Sequence, residues 1–404
     1  MQTFTGYEYL LIDIANKFGL DKELFQTRID WATENMSKLE SLMSEADEPI
    51  LYIKAVYALQ DVLVGIPTGH VMGMDACASG PQIMGALIGC EKTCLSTGLL
   101  DPNKRSDFYV EVTTGMNEYL TPDKHVGIGA ELTRADVKSA AMPFFYGSKM
   151  KPKEIFGEDT PEYNAFYKGL KDTAPGAMEV MDDLMAAWQP YALVHEWSLP
   201  DGFHVSVKVM EMLDKKVEVD ELNNASFTHR FYENQGSKAG LSIAANVVHS
   251  VDGMIVREMG RRCNYDPVKL TSELSLLEDL LFPLEYEGAH ITDRSEFVSL
   301  AMLDDFAKNP KAEYSVNKLL MLRDLIIKVL QYQPFELLCV HDDFRSSPNH
   351  MNTVRQYYID IMAEIADSTI LGDILSCIHG VQGSVPKRSS NLSNKIRKGN
   401  YGLS

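Results

Sequence analysis

Between Thr133 and Lys149 the chain reads T-R-A-D-V-K-S-A-A-M-P-F-F-Y-G-S-K. Ala and Met favour a helix, Thr133 suits its N-cap and Gly147 its stop. On such a helix Arg134 and Lys138 stand one turn apart on one face, and Tyr146 lies about 120° round from Arg134. Two cations then occupy one end of roughly 18 Å of helix, and a hydroxyl-bearing ring the other. A nucleoside triphosphate has the same polarity: a polyanion, then a sugar and a flat base. The spacing also suits an amphipathic helix with solvated basic residues, and the stretch by itself does not separate the two. Pro143 removes one backbone hydrogen bond and predicts a kink.

Carboxylates supply the complementary chemistry. M-D-A-C-A-S-G-P-Q-I-M-G-A-L, Met74 to Leu87, reads as a strand ending on Asp75, a tight turn, and a helix from about Ser79. Asp75 is placed to hold a metal at a sheet edge, or simply to enter the helix. F-E-L-L-C-V-H-D-D-F, Phe335 to Phe344, reads as an apolar strand ending on His341-Asp342-Asp343, with a strand or turn after it. Strand side chains alternate between faces, so Asp342 and Asp343 cannot both reach one metal from a regular strand. A-N-V-V-H-S-V-D-G-M-I-V, Ala245 to Val256, puts His249 beside Ser250 and Asp252 in a helix or turn, where a lone His is usually structural.

Positioning these residues takes many helices and few strands. Helical spacing is expected over residues 7–18, 22–44, 49–63, 104–120 and 176–189, and after Ser347-Pro348. A loop is expected from Asp123 to Gly129, and residues 151–176 read as loop-rich. Residues 194–208 alternate on both sides of Pro200-Asp201-Gly202 and predict a hairpin. Residues 265–330 are helical, leucine-rich and acidic.

At 404 residues the chain can bury a large core. No apolar run approaches the roughly 20 residues of a membrane span, and no signal segment follows Met1. Six cysteines without a C-x-x-C pair fit a reducing cytoplasm. A formal net charge of −19 argues against broad nucleic-acid affinity, so any such contact is local. The two candidate patches are Arg134 to Lys153 and the tail cations Lys387, Arg388, Lys395, Arg397 and Lys398, which lack acidic neighbours in sequence.

In order, D-A-C-A-S-G-P-Q, R-x-x-x-K-x-x-x-x-x-x-x-Y-G-S-K, V-H-S-V-D-G and V-H-D-D-F resemble the motifs of the single-subunit RNA polymerases of phages and mitochondria. The start of the chain, the P-D-G-F hairpin and the N-L-S-N-K-I tail agree, apart from residues of about 265–330, which look inserted. Within the family the pattern is most similar to the large subunit of a two-chain phage enzyme that transcribes middle genes. The resemblance implies an α+β, predominantly helical right-hand nucleotidyltransferase, with palm and fingers around a small antiparallel sheet. It places the first part of the palm at 1–103, the fingers at 104–245, and the rest of the palm at 246–404.

It further implies DNA-directed RNA synthesis in a bacterial host cytoplasm, with two Mg²⁺ ions held by Asp75, Asp342 and the carbonyl of Ala76. Arg134 and Lys138 would meet the phosphates, Lys138 also protonating the departing pyrophosphate. Tyr146, Gly147, His249, His341 and Gly80 would line the nucleotide and template side. Ser139, Pro143 and Ala76 depart from the family's usual residues, and none of these changes removes a ligand. Gly80 stands where related DNA polymerases carry a Glu that blocks the ribose 2′-hydroxyl. That position weighs against a palm-and-fingers DNA polymerase, and the two aspartates weigh against a non-catalytic accessory subunit. The implied partners are ribonucleoside triphosphates, DNA template and RNA product. A second polymerase subunit would carry the N-terminal and thumb regions, and a single-stranded-DNA-binding protein would recruit the enzyme.

Overall fold

Thr5 opens the first helix with a reciprocal cap: its hydroxyl accepts from the Glu8 amide at 3.2 Å, and the Glu8 carboxylate accepts from the Thr5 amide at 2.6 Å. The structure, a computed structural model, describes residues 1–120, 132–237, 240, 242–308 and 314–404. The N-terminal part runs α1 (Gly6–Ala15), α2 (Phe25–Glu34) and α3 (Pro49–Leu63). The helix expected over 22–44 is broken: α2 ends at Glu34 with Asn35 as its C-cap, and a 3₁₀ turn, Leu39–Glu45, follows. The apolar spacing continues through Met36 and Leu39, but the Asn35 side-chain amide donates to the Trp31 carbonyl at 2.9 Å and closes the helix.

Next come β1 (Met72–Asp75), α4 (Ser79–Ile88), α5 (Glu91–Ser96), α6 (Phe108–Tyr119) and α7 (Arg134–Phe144). The expected loop from Asp123 to Gly129 lies outside the described residues. The supposedly loop-rich 151–176 is instead mostly helical, as α8 (Met150–Phe156) and α9 (Pro161–Thr173), and α10 (Pro175–Ala186) follows. Polar composition hid α9, which buries only Ala165, Phe166, Gly169 and Leu170 at helical spacing.

The expected hairpin forms from β2 (Val194–Ser198) and β3 (His204–Lys208), with Trp197 opposite Val205. A second, longer hairpin, β4 (Met210–Val219) with β5 (Ala225–Asn234), was not legible. One of its faces does alternate apolar, with Leu213 opposite Phe231 and Val217 opposite Phe227, but Lys215 opposite His229 interrupts the run and most of the hairpin is solvated. After α11 (Ser242–Cys263), the leucine-rich segment gives α12 (Pro267–Tyr286), α13 (Met302–Lys308) and α14 (Val316–Val329). The chain closes with β6 (Leu338–Val340), β7 (Asp343–Ser346), α15 (Met351–Asp367), α16 (Ile370–His379) and α17 (Leu392–Ile396).

The sheet that matters is antiparallel, in the order β1-β7-β6. It rests on α15, whose Tyr358 ring lies 5.7 Å from Phe344 of β7. The Tyr358 hydroxyl also bonds Gln82 of α4, and both residues are buried. The architecture is therefore α+β and mostly helical, with small antiparallel sheets. Among the described residues no helix is long and apolar enough to cross a membrane.

The tail is not a free basic patch. Lys387 donates to the carbonyls of Leu87 and Ile365, and burial lowers its pKa to about 8. Arg388 pairs with Glu179, Lys395 with Glu91, and Arg397 lies 3.9 Å from Asp360. These partners are distant in sequence, so four of the five tail cations tie separate segments of the fold together.

Candidate active site

β1 and β7 put two distant carboxylates within reach of one another. Asp75 ends β1 with Asp343 as its cross-strand partner, and the Ala76 amide donates to the Asp342 carbonyl at 3.2 Å. The apolar strand does not run through His-Asp-Asp as expected. β6 stops at Val340, His341 turns with φ +56°, and Asp342 sits in that turn. The two aspartates diverge because a turn separates them from β6, so strand alternation is not what sets Asp342. Asp342 lines a cleft of about 280 Å³ together with Asp75, Ala76, Gly80, Arg134, Lys138 and Tyr146. Asp343 turns instead to a neighbouring basin and to Arg345, whose Nε donates to it at 2.7 Å. Gly73 makes room for this, since a Cβ there would fall 2.4 Å from the Asp343 carboxylate.

Asp75 is crowded by like charge. Desolvation in the cleft raises its pKa to about 6, and the Asp342 and Asp343 charges push the same way. Asp252, one turn beyond His249 on α11, is likewise raised to about 6 by burial and by Asp342. A divalent cation would relieve this repulsion, and carboxylate oxygens suit Mg²⁺. Among the described residues no group of three or more His, Cys, Asp or Glu stands ready-made for a metal. Asp75 and Asp342 by themselves would suit a hard ion that takes its remaining oxygens from water and other ligands.

The cationic wall is built by α6 and α7. Thr133 caps α7 through the Asp136 amide, and the Asp136 carboxylate answers the Thr133 amide at 3.0 Å. Asp107 caps α6 with one oxygen and holds Arg134 Nε at 2.9 Å with the other. The Tyr109 ring lies under both cations, 5.6 Å from the Arg134 guanidinium and 5.9 Å from Lys138 Nζ. Burial pushes the Tyr109 hydroxyl up to about 12, so it stays a neutral donor.

α7 ends at Phe144, sooner than the sequence pattern suggests, so Tyr146 is not on the helix and helical phase does not set its direction. Pro143 lies in the last turn, where it marks the end and not a mid-helix kink. Gly147, at φ +86°, reverses the chain behind Tyr146. The Tyr146 ring stacks on His249 at 4.3 Å and 10°. Burial raises the Tyr146 hydroxyl and a hydrogen bond with Ser79 opposes this, while burial and His341 lower the His249 pKa. A Cβ on Gly80 would sit 3.8 Å from the Tyr146 hydroxyl, so Gly80 leaves space beside it.

Gly147, His249 and His341 therefore support the cleft without being among the residues that line it. His249 is aimed through α11, which the hairpin clamps: Asp201 accepts from Arg257 Nε at 2.6 Å and from Arg261 Nη1 at 3.2 Å. Trp197 Nε1 donates to Ser250 at 3.1 Å. Sequence reasoning missed Lys22, Arg105, Asp107, Tyr109 and Ser404, all of which line the cleft. Asp107 lies within the stretch expected to be helical, 104–120, and its bond to Arg134 crosses 27 residues and left no local pattern.

One carboxylate at the end of β1 and one in the β6–β7 turn thus face a cation-bearing helix that is followed by a stacked tyrosine. Residues 2–154 match the family model described as DNA-dependent RNA polymerase. The chain is 21% identical over 365 residues to a DNA-directed RNA polymerase of Pseudomonas phage phiKMV, covering 73% of this chain and 42% of the relative. It is 29% identical over 163 residues to a probable DNA-directed RNA polymerase of Neurospora crassa, covering 35% of this chain and 18% of that one. Over these stretches the chain is thus similar to DNA-directed RNA polymerases, one of them from a phage, and it spans less than half the length of these two relatives.

Proposed function

We propose that this chain is the catalytic part of a DNA-dependent RNA polymerase, joining ribonucleoside triphosphates to an RNA 3′ end along a DNA template. The observation that carries this reading is the single cleft shared by Asp75, Asp342, Arg134, Lys138 and Tyr146. In it, residues up to 103 and from 246 form the palm, 104–245 the fingers, and about 265–330 a helical insertion.

Asp75 and Asp342 would hold two Mg²⁺ ions, which supply activation of the attacking hydroxyl and neutralisation of the phosphates. The Asp75 carboxylate must lose its proton to serve, which its pKa of about 6 allows at neutral pH. Arg134, fixed by Asp107, orients the phosphates, and Lys138 stabilises the charge that develops on the leaving pyrophosphate and gives it a proton. Tyr146, stacked on His249, carries the sugar and base side. The room beside Gly80 favours a ribose over a deoxyribose reading, because no carboxylate occupies that place.

The partners follow from the surface. α3 leaves Ile50, Leu51 and Tyr57 exposed, with Val64 just past its end, and Ile50 is 71% accessible. A solvated helix face this apolar suits a second polymerase polypeptide docking beside the N-terminal helices. The net charge of −19 favours single-stranded or pre-opened template over duplex, with a single-stranded-DNA-binding protein as recruiter. The place of action would be the cytoplasm of a phage-infected bacterium. The test is extension of an RNA primer on single-stranded DNA, with and without Mg²⁺ and with ribo- or deoxynucleotides. Mg²⁺-dependent ribonucleotide addition is expected. Preferential deoxynucleotide addition, or none at all by the chain with its docked partner, would overturn the reading.

A further inference from the structure

Besides Arg134 and Lys138, a further arginine stands in the cleft. Arg105 lines it, and its guanidinium is held only by neutral oxygens: Nε donates to the Ser404 hydroxyl at 3.1 Å and Nη1 to the Ser106 carbonyl at 3.3 Å. Behind it Arg28 is fully buried and also bonds only neutral acceptors, the carbonyls of Glu23 and Asp21 and the Asn16 amide oxygen. Among the described residues neither arginine has a carboxylate within salt-bridge distance. Repulsion from Arg105 adds to burial in lowering the Arg28 pKa to about 10. Asp21, which lines the same cleft, acts on both guanidiniums from beyond salt-bridge distance and is itself paired with Lys22, so their charge is only partly answered and a further anion would complete the site.

Position narrows the anion. The Ser404 amide donates to the Asp75 carbonyl at 3.1 Å, so Arg105 is tied through one residue to the strand end that carries the first carboxylate. Residues 105–109 form a continuous strip of the cleft wall. Along it come Arg105, then Asp107 with its bound Arg134, then Tyr109 beneath Lys138. Three cations thus follow one another away from the Tyr146 end, which suits a linear polyphosphate.

We propose that Arg105 binds the terminal phosphates of the incoming nucleoside triphosphate, at the end of the row begun by Lys138 and Arg134. This deepens the polymerase reading and rests on it for the identity of the substrate. The role is one of binding: the guanidinium grips the part of the substrate that leaves as pyrophosphate. Fixed by Ser404, it loses little freedom on binding.

The experiment uses Arg105→Gln, which removes the charge but keeps a donor for Ser404, and Arg105→Lys, which keeps the charge. Inorganic tripolyphosphate with Mg²⁺ is titrated into the chain, and primed extension is measured in parallel. Arg105→Gln is expected to weaken tripolyphosphate binding about tenfold, the loss of one charge-assisted contact. It should raise the nucleotide KM similarly with kcat within about twofold, leave nucleoside monophosphate binding unchanged, and be partly rescued by Arg105→Lys. Unchanged tripolyphosphate affinity in a folded Arg105→Gln protein overturns the assignment. A loss of kcat at constant KM does so too. Absence of extension by the unmodified chain counts against the polymerase reading instead, since the polyphosphate titration still reports on Arg105.

Discussion

Asp75 stands between two hollows of opposite character. On one side is the cleft, where Arg105, Arg134 and Lys138 face Asp75 and Asp342. On the other is a basin of about 400 Å³ lined by Asp13, Asp21, Asp47, Glu48 and Asp343. The cations of the basin are largely answered in place: Lys17 bonds Glu48 at 3.2 Å, and Arg345 holds Asp343. Buried carboxylate oxygens of Asp13 and Asp343 there have no partner among the described residues. In the cleft Arg134 is answered by Asp107 while Arg105 and Lys138 have no ion pair among the described residues, and the basin keeps unanswered acceptors, so a phosphate chain is drawn to the cleft more than to the basin. Adjacent aspartates, Asp342 and Asp343, are assigned to opposite sides by one left-handed residue, His341.

The sharpest way to break this comparison is to neutralise the aspartates separately. Asp75→Asn or Asp342→Asn should abolish nucleotide addition, by about 10³-fold or more, because each removes charge worth several kcal/mol to metal binding. Asp343→Asn should cost no more than about fivefold, since its carboxylate serves Arg345 on the basin side. Single-turnover primer extension reads all three, with circular dichroism to confirm folding. An inactive Asp343→Asn beside an active Asp342→Asn would exchange the roles of the two hollows.

Next in size are the cations. Lys138→Ala should lower the rate of addition by about 10² to 10³, the usual loss for a preset group facing developing charge. Lys54→Ala, in the basin, should leave it unchanged within about twofold. Pre-steady-state rates at saturating nucleotide make the distinction, and equal losses would mean that both hollows handle phosphate.

How much of this was legible in the sequence follows from the range of each interaction. β1, α3, α15 and the first hairpin were readable because each carries its own periodicity and stop signals. Asp75, Asp342, Arg134, Lys138 and Tyr146 were readable from motif order, and the fold gathers them in one cleft. Arg105, Tyr109 and Ser404 were not, because what makes them members of the site is contact between segments up to 299 residues apart. The end of α7 was misplaced for the opposite reason: an Ala-rich run carries no local signal that Pro143 would be its last turn.

A smaller effect is expected in sugar choice. Tyr146→Phe removes the hydroxyl that meets Ser79 beside Gly80, and should lower the preference for ribonucleotides by about 1–3 kcal/mol. Gly80→Glu should act in the same direction, by filling the space next to that hydroxyl. Competition between ribo- and deoxynucleotides on one primer gives the ratio directly. Unchanged ratios in both variants would move sugar reading out of the cleft.

The smallest effect concerns a half-buried carboxylate on α11. Asp252 faces Asp342 and His341 from the turn and the Tyr146 hydroxyl from the α7 side, and its pKa stands at about 6. An unfolded Asp titrates near 3.9. Between these values the folded chain binds more protons than the unfolded one, so this group's contribution to stability declines as pH rises from about 4 to about 6. Above that the loss is complete, and the folded protein carries an ionised carboxylate in unfavourable surroundings. Asp252→Asn removes that cost while keeping shape. Its melting temperature should exceed the parent's by a few degrees at pH 7.5, and the difference should shrink toward zero below about pH 4. Scanning calorimetry across this range, without divalent ions, measures it. A gain that does not change with pH would mean that the Asp252→Asn substitution acts through packing, and that the like-charge repulsion around Asp342 ends before it reaches α11.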